Sequence, residues 1–197
     1  MARKTIRRRK RNPIIFIGVE GKNKTERAYL NNFSERNFRF KFSSTGDTDI
    51  LGMAKELKTL MDNNDFNTGT GDRSFLVIDT DNSNSRIRAI KQCSSFCAEN
   101  NIVLITSCPE FETWFLLHFM DCNIPNSKQE IIKKLEKNLK SNYTKTTDIY
   151  SKLKGLTGQA IANAKKLEKQ PLQADNLLSS PHSKVYLILE YIKSITG

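Results

Sequence analysis

The fold is decided by two stretches of sequence, Ile14-Ile15-Phe16-Ile17-Gly18-Val19-Glu20-Gly21 (14–21) and Phe75-Leu76-Val77-Ile78-Asp79-Thr80-Asp81 (75–81). Each is an apolar, partly β-branched run that ends in acidic residues, which is typical of a strand buried on both faces of a helix-flanked sheet. Ligands of such sheets bind beyond the carboxyl ends of the strands. The sequence therefore predicts a site formed by Glu20, Asp79 and Asp81.

Predicted helices and strands alternate along the first part of the chain and give way to helices alone. The predicted strands are 14–19, 38–43, 74–79 and 102–107. The first predicted helix begins near Thr25, and another begins near residue 111. The other predicted helices are 50–61, 85–99, 128–140, 148–153, 158–168 and 184–195. A loop is predicted at 171–181. This order predicts an α/β fold with a mainly parallel sheet flanked by helices and a C-terminal helical cap.

The Asp-x-Asp pair requires something to offset its charge. Asp79 and Asp81 are two positions apart on a chain predicted to be extended, so they would point to the same side. Two carboxylates ~4 Å apart repel by about 4 kcal/mol at an effective dielectric near 20, so one takes up a proton or a cation lies between them. Mg²⁺ or Mn²⁺ would suit these oxygen ligands. A simple turn and helix cap is the alternative.

Basic residues indicate a polyanionic partner. The net charge is +11, and Arg7, Arg8 and Arg9 belong to a basic run before the first strand, which is typical of an arm that binds DNA or RNA. Lys22 and Lys24 lie in the loop before the first helix, where they could bind phosphate together with the helix amides. The alternative for Lys22 and Lys24 is that they are solvated and contact no ligand. For the lysines of the predicted helix 128–140, this solvated interpretation is the favoured one.

The segment 108–119 is aromatic and acidic together. Its predicted helix is apolar nearly all round and is therefore expected to be buried. Glu112 and His118 are six positions apart, so they would point in different directions on that helix. Glu112 is interpreted either as an acid beside the metal or as a partner of the helix dipole. His118 is interpreted either as a functional residue or as a hydrogen-bonded core histidine.

Composition places the chain among single-domain α/β proteins. It has 197 residues with 38% hydrophobic content, enough for one core. No apolar stretch approaches the ~20 residues of a membrane span. The four cysteines form no Cys-x-x-Cys, and Cys93 and Cys97 fall on the apolar stripe of a predicted helix. We therefore expect buried thiols and a cytoplasmic location without membrane contact.

Three segments, 19–29, 78–81 and 108–119, resemble the RloB-like family of bacterial defence proteins, which has a Toprim-like site. More broadly, Val-Glu-Gly-Lys followed later by Ile-Asp-Thr-Asp is similar to the Toprim fold of topoisomerases, primases and OLD-type nucleases. The resemblance implies a Toprim-like catalytic core at 13–122. A basic arm at 1–12 precedes it, and a helical extension at 123–197 packs on it.

The resemblance also implies roles for individual residues. Glu20 matches the Toprim glutamate, a general acid or base and a metal ligand, while Asp79 and Asp81 match the pair that holds Mg²⁺. Further matches are Glu26 to the family's second acid, and Glu112 and His118 to the third motif. The chain departs from the family pattern at Glu110, which we expect to be an extra surface acid, and at Ser180-Pro181-His182-Ser183.

The function expected from these features is that of a metal-dependent nuclease acting in anti-phage defence, by abortive infection or linked to restriction. A haloacid-dehalogenase-type phosphohydrolase is one alternative, although its Asp-x-Asp normally follows the first strand. A non-catalytic nucleic-acid-binding or sensor subunit is another. A partner defence protein such as an ATPase is compatible with each, and the sequence does not predict the oligomeric state.

Overall fold

Five strands and eight α-helices make up the part of the chain that the computed structural model describes, residues 11–20, 24–44, 49–169 and 178–197. The strands are β1 (Ile14–Val19), β2 (Arg39–Ser44), β3 (Arg73–Asp79), β4 (Ile102–Cys108) and β5 (His182–Ser183). The helices are α1 (Lys24–Asn31), α2 (Ile50–Asp62), α3 (Asn84–Glu99), α4 (Glu112–Leu116), α5 (Lys128–Leu139), α6 (Tyr150–Leu153), α7 (Thr157–Glu168) and α8 (Tyr186–Thr196).

The strands form one sheet in the order β2-β1-β3-β4-β5. β1 pairs in parallel with both β2 and β3, and β3 pairs in parallel with β4. Because β1 and β3 are parallel neighbours, their carboxyl ends lie side by side at one edge of the sheet. The predicted α/β fold, a mainly parallel sheet flanked by helices with a helical C-terminal part, is confirmed.

Both faces of the sheet are covered, since alternate residues of each strand point to opposite faces. Ile15 and Ile17 of β1 belong to one buried cluster with α4, α5, α7 and α8. Phe16 of β1 belongs to the other cluster, with α2 and α3. Cys93 and Cys97 are buried in that second cluster, as the apolar stripe predicts.

The prediction that the C-terminal part is purely helical is wrong. His182 and Ser183 form β5, which pairs antiparallel with Cys108 and Ser107 at the end of β4. The hydroxyl groups of Ser107 and Ser183 are 2.9 Å apart. A strand of two residues is too short to show alternation, so sequence periodicity misses it. The predicted loop at 171–181 lies largely outside the described residues.

The aromatic helix is shorter than predicted. α4 ends at Leu116, and His118 lies in the turn that follows it, so the angle expected between Glu112 and His118 on one helix does not apply. The burial prediction for this segment is confirmed, because Phe111, Trp114 and Phe115 are at most 1% exposed. An all-apolar pattern marks burial well but gives no boundary for a helix.

The helical extension shares a core with the sheet. Ile131 of α5 and Ile15 of β1 belong to the same buried cluster. The division of the chain at residue 122 stays a prediction. In the basic arm, residues 1–10 lie outside the described part, while Arg11 pairs with buried Asp72 at 2.6 Å. None of the helices in the described residues is both long and apolar enough to cross a membrane.

Candidate acid site at the carboxyl edge of the sheet

Acidic side chains from α1, α4 and the turn after β3 lie near Asp79, the last residue of β3. Burial raises the pKa of Asp79 well above its ordinary value, and the negative charges of Glu26, Glu112 and Asp81 raise it further. Glu26 comes from α1 and Glu112 begins α4; these two residues are 5% and 2% exposed. We call Glu26, Asp79, Asp81 and Glu112 the acid cluster.

One oxygen of Asp79 is unsatisfied. Its Oδ1 is buried and has no hydrogen-bond partner among the described residues. The backbone amide of Phe111 lowers the pKa of this carboxyl, although not enough to offset burial and the neighbouring acids. A desolvated carboxylate with a bare oxygen favours either a proton or a cation.

Asp81 does not continue the strand, so the prediction of an extended Asp-x-Asp is wrong. Its φ is 53°, in the left-handed region that Asp tolerates better than most residues. The amide of Thr80 donates to the carbonyl of Ser107 at 2.9 Å, and the amide of Asp81 donates to that of Pro109 at 3.0 Å. The turn is thus tied to the end of β4, and the Asp81 carboxylate is 38% exposed.

Two basic side chains already neutralise part of the negative charge. Arg86 of α3 forms an ion pair with Glu20, just after β1, and donates from Nε to the carbonyl of Asp79 at 3.0 Å. The same Nε lies 3.7 Å from Oδ2 of Asp81. Lys128, at the start of α5, contacts Oδ1 of Asp81 at 2.5 Å. Arg86 therefore links Glu20 to the acid cluster.

Glu112 is held by a buried hydrogen bond. The hydroxyl of Tyr143 donates to Oε1 of Glu112 at 2.8 Å. Tyr143 is itself fixed, because its backbone amide donates to Oε1 of Glu136 at 2.9 Å. This arrangement orients the Glu112 carboxylate within the acid cluster and supplies the partner that a buried carboxylate needs under either interpretation of Glu112.

Glu110 is not the surface acid that the sequence suggested. It is 6% exposed, and its Oε1 has no hydrogen-bond partner among the described residues. Burial raises the pKa of Glu110 to about 7, with contributions from Glu112 and Asp81 that Lys128 and Lys145 oppose. Glu110 precedes the short α4 and lies against α5 and the segment 143–145, which are contacts that a local pattern cannot report.

His118 lies in the aromatic core. Its Nδ1 donates to the carbonyl of Trp114 at 3.0 Å, and its ring packs 5.1 Å from that of Trp114 and 6.4 Å from that of Tyr29. Burial lowers the pKa of His118 to about 4, so the ring is neutral at physiological pH. Of the two interpretations of His118, these contacts favour the hydrogen-bonded core histidine.

A cleft opens beside the acid cluster. It has a volume of about 510 Å³ and lies between α5 and the segment 143–145. We call it the lysine cleft, and its lining includes Glu110, Glu112, Lys128, Lys133, Tyr143 and Lys145. Glu136 also lines the cleft, so that three lysines and three glutamates contribute to it. An anionic chain could contact the lysines while it lies beside the acids.

Several of the predicted binding residues lie outside the described part of the chain, namely Lys22, Arg7, Arg8 and Arg9. Lys24 begins α1, which places its backbone one turn or less from Thr25 and Glu26 of the site. Their predicted contacts with phosphate stay predictions.

The sequence did not identify Arg86, Lys128 or Tyr143 as parts of the site. Their partners are 66, 47 and 31 residues away along the chain, in the order Glu20, Asp81 and Glu112. Local patterns cannot report such contacts. The only available signal was a basic or aromatic residue on an element that the topology brings to the same edge.

The donor chemistry of the acid cluster fits a hard divalent cation. Carboxylate oxygens are the ligands that Mg²⁺ and Mn²⁺ prefer. The buried Oδ1 of Asp79 has no hydrogen-bond partner among the described residues and could bind such an ion. Within that part of the chain, however, no three acidic, histidine or cysteine side chains are already arranged around a common point. Glu20 and Asp81 would have to exchange Arg86 and Lys128 for the ion.

Comparison with known proteins identifies a family. Residues 15–192 match the family described as RloB-like protein, and this match covers β1, β3, the acid cluster and most of the extension. This chain belongs to the RloB-like family. No curated protein and no solved structure matches it. Family membership agrees with the resemblance of the three motifs.

Proposed function

We propose that this chain is a metal-dependent nuclease that hydrolyses phosphodiester bonds of DNA or RNA at the acid cluster. The observation that supports it is the desolvated carboxyl of Asp79, surrounded by Glu26, Asp81 and Glu112 in a chain of net charge +11. A basic chain attracts a phosphate backbone. Acids gathered at one edge would weaken that attraction, and a cation that they hold would restore it.

Mg²⁺ or Mn²⁺ is the proposed cofactor, with Glu20, Asp79 and Asp81 as the residues that would hold it. A bound divalent ion would stabilise charge on the phosphate oxygens and lower the pKa of an attacking water. Asp79 suits this role because burial and the charges of the neighbouring acids raise its pKa, and a bound cation would offset both effects.

The other residues have roles that follow from their contacts. Glu20 is the proposed proton carrier, and Glu112 is a further acid that Tyr143 keeps in a fixed orientation. Arg86 and Lys128 lie against the acids and could contact phosphate oxygens once a cation replaces them beside Glu20 and Asp81. Lys133 and Lys145 extend the positive surface along the lysine cleft.

The RloB-like family resemblance supports a role in anti-phage defence, by abortive infection or linked to restriction. A nuclease with that role must be controlled. The ion pairs of Arg86 and Lys128 with the site acids are consistent with a chain that is inactive until metal and substrate are both present.

A non-catalytic nucleic-acid-binding subunit is the second candidate. The same two ion pairs favour it, because they neutralise Glu20 and Asp81 without any metal. In this case the acid cluster would be a structural network, and binding to nucleic acid would depend on the lysines and the basic arm alone.

The deciding experiment measures Mg²⁺- or Mn²⁺-dependent cleavage of mixed DNA and RNA by the purified full chain. Glu20→Gln and Asp79→Asn are compared with Asp62→Asn, a matched control at an exposed carboxylate of α2 that pairs with Lys58. We expect cleavage by the native chain and by the control and none by the two site variants. Calorimetry of Mn²⁺ binding, run on the same proteins, is expected to show the same pattern.

Two outcomes would contradict the proposal. Absence of both Mn²⁺ binding and cleavage, with nucleic acid still bound, would establish the binding subunit instead. Cleavage that persists in both site variants would place the chemistry elsewhere in the chain.

A further inference from the structure

A second cleft lies on the other side of the segment 143–145. It has a volume of about 310 Å³, at the lower end of the range for small-molecule sites. We call it the aromatic cleft; it lies between α1 and the segment 143–150, and its lining includes Tyr29, Asn32, Phe115, Tyr143, Thr147 and Tyr150. None of the site acids Glu20, Glu26, Asp79, Asp81 and Glu112 is among its lining residues.

The walls of the aromatic cleft suit a flat ligand with polar edges. Tyr150 is half-buried, and its ring makes edge-to-face contacts with the rings of Phe33 and Tyr29, with centroid distances of 5.2 Å and 6.1 Å. Around these rings the rim supplies amide, hydroxyl and carboxylate groups from Asn32, Thr147 and Asp148. Aromatic faces with hydrogen-bonding groups at the edge are the chemistry that recognises a nucleobase.

The two clefts are joined through shared residues. Tyr143 and Lys145 line both of them. Tyr143 donates its hydroxyl to Glu112 of the acid cluster, and Thr25 donates from Oγ1 to the carbonyl of Lys145 at 3.4 Å. Thr25 lines the aromatic cleft and precedes Glu26 of the acid cluster. A ligand spanning the wall would therefore reach from the aromatic rings to the acids.

Charge decides what such a ligand is. The chain has a net charge of +11, and lysines line the lysine cleft next to the shared wall. A ligand that is anionic along its length and aromatic at intervals complements both clefts. An acidic peptide would lack regularly spaced flat groups, and an inorganic phosphate would not need the rings. Nucleic acid has both features.

We propose that the aromatic cleft receives one unpaired base of a single-stranded nucleic acid, while the adjoining phosphates lie in the lysine cleft against the acid cluster. This inference rests on the proposed nuclease function and specifies its substrate class. A base in a duplex is paired and stacked on both sides, so it reaches such a cleft only after it has been turned out of the helix. Bases in single strands, loops and ends are already unpaired, so little free energy is needed to place one in the cleft.

The test measures binding in EDTA, where cleavage does not occur. A fluorescent single-stranded oligonucleotide is titrated with the full chain and compared with the same strand made of abasic nucleotides, which keeps the phosphates and lacks the bases. The native chain is expected to bind the base-bearing strand more tightly. Tyr150→Ala is expected to lose affinity for that strand by roughly 5- to 150-fold, with no change for the abasic strand. Tyr150→Phe, which keeps the ring, is expected to bind like the native chain.

A second variant keeps the test decisive if Tyr150→Ala does not fold. Ala28 is exposed on α1 and lines the aromatic cleft, so Ala28→Leu fills it from the surface without removing core atoms. It is expected to show the same selective loss. Ser94→Leu is the matched control, since Ser94 is exposed on α3 across the sheet. It is expected to bind both strands like the native chain.

Equal binding of the two strands by the native chain would overturn the inference. So would Ala28→Leu binding the base-bearing strand as tightly as the control does. Failure of the proposed function is seen separately, as absence of cleavage when Mn²⁺ is added to the same base-bearing strand. Selective base binding without cleavage would therefore support the cleft and contradict the nuclease.

Discussion

The ionised carboxyl of Asp79 destabilises the folded chain, although it is also a proposed ligand of the metal ion. Burial and three neighbouring acids raise its pKa, so the ionised form is less stable in the folded chain than in the unfolded one. The folded chain therefore binds the proton more tightly, and stability falls as the pH rises above the ordinary pKa of 3.8.

Asp79→Asn removes that cost. We expect a higher Tm than the native chain at neutral pH and no Mn²⁺ binding by calorimetry. Loss of Mn²⁺ binding with a lower Tm would mean that Asp79 stabilises the fold through a contact that the amide cannot make. The Asp62→Asn control should change neither quantity, because Asp62 is exposed.

Glu110 gives a pH dependence of its own. Its pKa of about 7 lies above the ordinary 4.5, so the free energy of unfolding falls as the pH rises through that interval. Glu110→Gln removes this fall. We expect the variant to be more stable than the native chain by on the order of 1 to 3 kcal/mol at about pH 8, with the difference vanishing near pH 4.

Urea unfolding across this pH range measures the effect of Glu110→Gln. Glu99→Gln, at an exposed position at the end of α3, is the control and should follow the native profile. A Glu110→Gln profile parallel to that of the native chain would show that Glu110 is ionised in the folded state without cost.

Some site residues were predictable because their signal is local. Glu20 follows β1 and Asp79 ends β3, two strands whose apolar runs are visible in the sequence, and the ends of parallel neighbours lie side by side. The inward turn of Glu110 and the ion pairs of Arg86 and Lys128 were not predictable. They depend on contacts between elements distant in sequence.

Close packing between β1 and its neighbours depends on Gly18. A Cβ atom at this position would lie 2.6 Å from Cδ1 of Leu76 and 3.3 Å from Cδ2 of Leu57. Both leucines are fully buried, so neither has space to move away. Gly18→Ala is expected to lower the free energy of unfolding by about 1 to 3 kcal/mol.

Gly158→Ala is the control for Gly18→Ala. Gly158 lies in α7 with nothing within 4 Å of the added Cβ, so alanine should be neutral or stabilise the helix by up to about 1 kcal/mol. Chemical denaturation of the two variants compares them directly. Equal stability of the two would show that the core around Leu76 adapts to the extra methyl group.

Elements were predicted well where they are long and periodic. The parallel strands and the helices α2, α3 and α5 follow from runs and stripes of apolar residues, and the buried stripe of α5 includes Ile131, Leu135 and Leu139. β5 was missed because its two residues join the sheet only through pairing with β4. α4 was predicted too long because its apolar pattern continues into the turn at His118.

The net charge of the whole molecule predicts how its affinity for nucleic acid depends on salt. With a net charge of +11, much of its affinity for nucleic acid should come from release of counterions, which makes binding weaker at high salt. Arg7, Arg8 and Arg9 contribute to that charge from the basic arm, while Lys128, Lys133 and Lys145 contribute from the lysine cleft. The contribution of the basic arm can be measured by removing its arginines and recording how the salt dependence of binding changes.

Replacing Arg7, Arg8 and Arg9 together by alanine is expected to weaken binding of a single strand and to flatten its dependence on salt. Each phosphate contact that is lost should reduce the slope of log affinity against log salt by about 0.7. Anisotropy titrations at several salt concentrations in EDTA measure the slope. The control replaces Arg36, Lys55 and Lys91, which are exposed and remote from the lysine cleft lining, and removes the same charge. If both triple variants reduce the slope equally, net charge alone governs binding; a larger reduction for the arm variant identifies direct contacts, since only neutralised phosphates release their counterions.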